Sequence, residues 1–95
     1  IETVALALAR GRTLARDIQA PIDLPPFDNS AVDGYAVRHA DLSAQSDTAF
    51  TVADRITAGR AAAHPIAPGT AIRIFTGAPM PEGADTVFMQ EDVRT

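Results

Sequence analysis

Two stretches hold the side chains whose types and spacing could do chemistry. In Pro25-Pro26-Phe27-Asp28-Asn29-Ser30-Ala31-Val32-Asp33-Gly34-Tyr35-Ala36-Val37, residues that restrict the backbone alternate with residues that can bind something. The two prolines fix φ and present extended chain, and Asp28, Asn29 and Ser30 can each bond their own backbone, so this loop is stiff. Ser30 and Asp33 stand at the S-x-x-D spacing of a capping box, which predicts one helical turn carrying Asp33. Gly34 then permits a conformation or a close approach that a side chain would block. Tyr35-Ala36-Val37 reads as a strand start. Taken alone, the pattern fits both a ligand-facing loop and a well-capped turn joining two elements.

The second stretch is Thr76-Gly77-Ala78-Pro79-Met80-Pro81-Glu82-Gly83, held rigid by two prolines and two glycines. Thr76 offers a hydroxyl at a strand end, and Gly77 lets a ligand approach the backbone. An ordinary strand end followed by a proline-rich loop would read the same way. Neither G-K-[ST] nor G-x-G-x-x-G occurs, so no nucleotide fingerprint is present. Glu82 and Asp85 read as solvated loop acids, with a cation pair as the alternative, because hard cations want several converging oxygens. His39 and His64 are far apart and outside any H-E-x-x-H spacing, which argues against metal ligation.

These loops need elements to position them. Glu2 to Arg10 places Val4 and Leu8 at i and i+4 among alanines, with Gly11 as a C′ residue, which predicts a short packing helix with Val4 and Leu8 facing inward. In Thr13 to Ala20, Leu14 and Ile18 fit either period. The short length, Gly11 before it and Pro21 after it favour a strand. Arg38 to Ala49 is polar and aperiodic, a surface connection with room for a single turn. Phe50 to Thr57 alternates, with an irregularity at Asp54 that reads as a bulge, and ends at Gly59. Thr70 to Phe75 carries Ile72 and Ile74 on one face and Arg73 on the other. The chain from Ala84 to Glu91 resumes as a strand, making a hairpin or crossover around the second loop.

The bulk composition bounds the function. Of the 95 residues 46% are apolar, but nineteen are alanine, so the supply of larger core side chains is thin and marginal stability is expected. Twelve acids against eight arginines, with no lysine, give a net charge of −4, which argues against non-specific nucleic-acid or anionic-membrane binding. No cysteine is present, so there is no disulfide framework or thiolate site, which suits a reducing cytoplasm. No stretch approaches the roughly 18 apolar residues needed to cross a bilayer, so a soluble chain is expected. Ile1 and Thr95 read as cuts in a longer protein, with residues 1–37 as helix, extended segment and motif loop and residues 38–95 as a β module.

Pro25 to Val37 and Arg73 to Val87, in this order and separation, closely resemble the molybdopterin molybdenumtransferase family, the MoeA and gephyrin E-domain type. The resemblance covers essentially the whole chain. Val32 stands where the family more often has methionine, and Met80 where leucine or valine is common. The resemblance implies an α+β, mainly β region, a distorted β-barrel-like module with one short N-terminal helix. It also implies a role in the last step of molybdenum cofactor assembly, in which adenylylated molybdopterin is hydrolysed, molybdate is inserted and AMP is released, with magnesium required. The expected state is an elongated homodimer whose cleft lies between this region of one subunit and a molybdopterin-binding α/β domain of the other. Asp33 and Thr76 match family positions lining that cleft. Asp33 would be catalytic, reaching magnesium through water, and Thr76, Gly77, Ser30 and Asn29 would bind substrate, Thr76 by donating to a phosphate or pterin oxygen. Phe27 and Tyr35 would anchor the loop by burying their rings. Such a piece should not turn over alone. A binding or scaffolding module related to the gephyrin E domain is the competing expectation.

Overall fold

The computed structural model describes residues 1–95. Four strands make the fold: β1 (Gly34–Val37), β2 (Thr51–Ile56), β3 (Thr70–Ile74) and β4 (Thr86–Met89). They form one mixed sheet in the order β2-β3-β1-β4. β1 lies inside, antiparallel to β3 with Ala36 opposite Ile72, and antiparallel to β4 with Ala36 opposite Val87. β2 runs parallel to β3, and the intervening chain, residues 57–69, has the length of about a dozen residues that a parallel pair demands. β3 and β4 are both neighbours of β1, so the Thr76–Gly83 loop is a crossover past β1 and not a hairpin. The sheet is open, with β2 and β4 as its edges, in place of the barrel-like module expected. The register of β2 against β3 shifts between Val52 and Asp54, so the irregularity at Asp54 is a bulge.

Alternation along the strands decides what is buried. Ala36, Ile72 and Ile74 point to one side with Ile56, Ile66 and Ala78, and Ala62, Met80, Ala84 and Val87 pack around them. This is a small core, only 11 of 95 residues being buried, so removing any of its isoleucines removes a large share of it. Tyr35 and Arg73, directly opposite each other on β1 and β3, project to the other side.

Residues before Asp28 do not join this core. Their backbone hydrogen bonds are all local, and the first that ties the segment to the sheet region runs from the Met80 N–H to the Asp28 carbonyl, at 2.9 Å. The chain is accordingly drawn out to 62 × 26 × 20 Å with a radius of gyration of 19.8 Å, against about 12 Å for a compact domain of this size. The helix expected over Glu2 to Arg10 is present only as a 3₁₀ turn, Leu6–Leu8. Its leucines do not pack, with Leu6 92% and Leu8 72% exposed, while Val4 and Ala9 are half-buried. A helix this short is not stable in water without a packing partner, which is why propensity alone does not form it. The strand expected over Thr13 to Ala20 is likewise absent, because no other strand lies alongside to take up its hydrogen bonds. Arg38 to Ala49 is a surface connection with one 3₁₀ turn, His39–Asp41. No helix is long and apolar enough to cross a membrane.

Candidate functional site

The two motif loops lie side by side. The Ser30 N–H donates to the Ala78 carbonyl at 2.9 Å, the Gly77 N–H to the Ser30 carbonyl at 2.8 Å, and the Met80 N–H to the Asp28 carbonyl at 2.9 Å. An isolated bridge pairs Asn29 with Pro79. Gly77 reaches its place in this ladder with φ of 84°, a conformation that favours glycine. Gly34 is required for a different reason: a Cβ there would lie 1.9 Å from the Phe88 carbonyl oxygen, so only glycine lets β4 lie against β1 at this point. This is the close approach read from the sequence.

The ladder and the β1–β3 pairing bring Asp33 and Thr76 together. Asp33 Oδ1 accepts from the Thr76 N–H at 2.9 Å and from the Thr76 hydroxyl at 3.0 Å. The expected helical turn carrying Asp33 does not form. The carboxylate instead caps a strand end 43 residues away, and chain leading directly into β1 leaves no room for a turn. The Thr76 amide, and then its hydroxyl, hold the Asp33 carboxyl below its ordinary value. Partial desolvation pushes the other way, and the Arg73 charge adds a smaller lowering. Asp33 is therefore ionised at neutral pH, an acceptor and a charge but too weak a base to take up protons efficiently there. Because the Thr76 hydroxyl proton is directed at Asp33, Thr76 offers a ligand an acceptor, not the donor expected of it.

The other expected site residues separate. Ser30 is 3% exposed, its hydroxyl donating to the Val32 carbonyl at 2.6 Å and accepting from the Val32 N–H at 3.3 Å. That is an ST-type turn closed on itself, so the Ser30 hydroxyl shapes the loop from within the protein. Gly77 joins the ladder beside Thr76. Asn29 lines a groove of about 660 Å³ with Pro25, Pro26, Asp28, Met80 and Asp85, whereas neither Asp33 nor Thr76 borders it. Phe27, expected to bury its ring, is 52% exposed, while Tyr35 is half-buried. Asp85 is engaged elsewhere. The His39 N–H, at 2.8 Å, and then the Thr86 hydroxyl lower its carboxyl and tie β4 to the turn after β1.

Two residues escaped the sequence reading. The Gln90 N–H donates to the Asp33 carbonyl at 3.0 Å, and Arg73 reaches across β1 from the outer face of β3. Arg73 was visible in the alternation of β3, but nothing in the sequence marks Gln90. Magnesium, implied by the resemblance, meets one suitable oxygen: Asp33 Oδ2 accepts no hydrogen bond from the protein, and no group of three acidic or histidine side chains converges. A single free carboxylate fits magnesium, which commonly takes one or two carboxylates and completes its shell with water and phosphate oxygens.

Comparison with known proteins bears on the family and the fold. The family model described as the MoeA N-terminal region (domain I and II) matches residues 1–95. The molybdopterin molybdenumtransferase of Nostoc sp. is 47% identical over 96 residues, covering 98% of this chain and 22% of that protein. Molybdopterin molybdenumtransferase 2 of Mycobacterium tuberculosis is 50% identical over 92 residues, covering 94% of this chain and 23% of that protein. The crystal structure of the molybdopterin biosynthesis MoeA protein from Pyrococcus horikoshii OT3 matches with a TM-score of 0.84 at 43% identity, over 99% of this chain and 26% of that one. The chain thus spans less than a quarter of the length of these two curated relatives. From its motifs, its mixed sheet and this match over every residue, the chain belongs to the family of MoeA N-terminal regions.

Proposed function

We propose that this chain is the N-terminal part of a molybdopterin molybdenumtransferase, one that inserts molybdate into adenylylated molybdopterin with release of AMP. It does so as part of a longer, cytoplasmic, homodimeric protein and is inactive as an isolated piece. The observation that carries this reading is the Asp33–Thr76 pair, an ionised carboxylate fixed by two hydrogen bonds at a half-open surface. The pair borders neither the groove beside Asn29 nor the one lined by Tyr35 and Phe88, which suits a substrate held mainly by another domain. Asp33 supplies a fixed negative charge and an acceptor, and Thr76 keeps that carboxylate in one orientation. When bound, magnesium would neutralise phosphate charge, held by Asp33 through water. The apolar side chains exposed along residues 1–27, Leu14, Ile18, Ile22 and Leu24 among them, suit burial against the rest of such a protein or its second subunit.

The test is a graft of residues 1–95 in place of the matching segment of the Nostoc enzyme, followed by Asp33→Asn. The amide keeps an oxygen for Thr76 but loses the charge, so molybdate insertion should fall at least about tenfold while the melting temperature stays close to the parent graft's. An Asp33→Asn graft that inserts molybdate at the parent rate when magnesium is limiting would refute the assignment.

A further inference from the structure

Arg73 is a half-buried cation that forms no salt bridge. Its guanidinium lies between two rings, 4.9 Å from the centre of Tyr35 and 4.7 Å from that of Phe75. One amino group donates to the Gly34 carbonyl at 3.1 Å and the other to Gln90 Oε1. Every one of these anchors adjoins the candidate site. Gly34 and Tyr35 directly follow Asp33, Phe75 directly precedes Thr76, and Gln90 donates its own N–H to the Asp33 carbonyl.

We infer that Arg73 is the positioning residue of the Asp33–Thr76 site, a planar clamp that holds the β1, β3 and Gln90 sides of the pair in one register. The inference rests on the function proposed above. Arginine suits this role because its flat cation stacks on both rings while its rigid fork reaches two acceptors at once. Lysine would keep the charge and most of the stem. It is a single point donor, however, with neither the fork nor the flat face. Arg55 stacks on Phe75 at 4.8 Å but has no bond to either loop, so it steadies the ring without fixing the pair. The Arg73 guanidinium is already engaged by the Gly34 carbonyl, by Gln90 and by the two rings, so it acts on the site through these neighbours.

The experiment uses the grafted enzyme. Arg73→Lys should lower kcat for molybdate insertion about tenfold and leave KM within about twofold, because misplacing a catalytic group by an ångström costs up to about a hundredfold. Hydrogen exchange at the Thr76 and Gln90 amides should quicken in the same variant. Gln90→Leu, an exposed change that keeps Arg73, should give the same pattern about threefold weaker, and it carries the test should Arg73→Lys fail to fold. Wild-type kcat in these variants, with Asp33→Asn inactive, overturns the positioning role and leaves the function standing. A rise in KM at unchanged kcat also overturns it. Asp33→Asn at full activity brings down the assignment of the Asp33–Thr76 site, and the inference with it.

Discussion

Adding one methyl group at Gly34 should separate β4 from β1. The new Cβ would lie 1.9 Å from the Phe88 carbonyl oxygen and 2.9 Å from its carbon, both backbone atoms that cannot rotate away. A carbon meets a carbonyl oxygen comfortably at about 3.3 Å, so β4 must withdraw by about 1.4 Å. That displacement stretches ladder hydrogen bonds from about 2.9 Å to beyond 3.5 Å, where they cease to count. Losing two of them at about 1 kcal/mol each, with overpacking of 1 kcal/mol or more, sums to about 3 kcal/mol, a large part of the stability of so small a core. Urea unfolding of the chain followed by circular dichroism measures this, with Gly59→Ala as the control. Gly59 has no atom within 4 Å of an added Cβ and is penalised only through its φ of 81°, by about 1 kcal/mol. If Gly34→Ala unfolds within about 0.5 kcal/mol of the parent, the claim that this contact fixes the β1–β4 pairing is wrong.

Two further outcomes follow from the site. Ser30→Ala should destabilise the chain by about 1 kcal/mol through loss of the turn to Val32, leaving molybdate insertion in the graft at the parent rate, as thermal melts and a turnover assay would show. Asp33 and Asp85 are both lowered on folding, so the unfolded chain binds more protons in acid. Their stabilisation is present above the ordinary carboxylate value and should be lost as pH falls below about 4, with little change between pH 6 and 8. Melting temperatures from pH 3 to 8 check this, and Asp33→Asn should flatten the acid limb.

The loops were the legible part of this chain, because proline, glycine and Asx residues act locally and their effect survives folding. Ile72 and Ile74 showed β3, and Asp54 showed the bulge, since alternation depends only on neighbouring positions. Where partners decide, the sequence misled. Val4 and Leu8 have helical spacing but nothing to pack on, and Leu14 and Ile18 have no strand beside them. Ser30 and Asp33 have capping-box spacing, yet Thr76 competes for the carboxylate and wins with two hydrogen bonds. That Asp33 and Thr76 meet depends on β1 pairing with β3, and a four-residue strand carries no local sign of lying inside a sheet.

The order of the strands also governs how the molecule can assemble. No two consecutive strands form a hairpin, and β1 must wait for Met89 before Gly34 acquires its partner on that side. Loop-closure entropy is thus met before any ladder compensates it, which makes folding slow for the chain's size. On the ribosome, β1 emerges long before either neighbour, and until β3 and β4 follow it offers two unpaired edges to whatever strand passes.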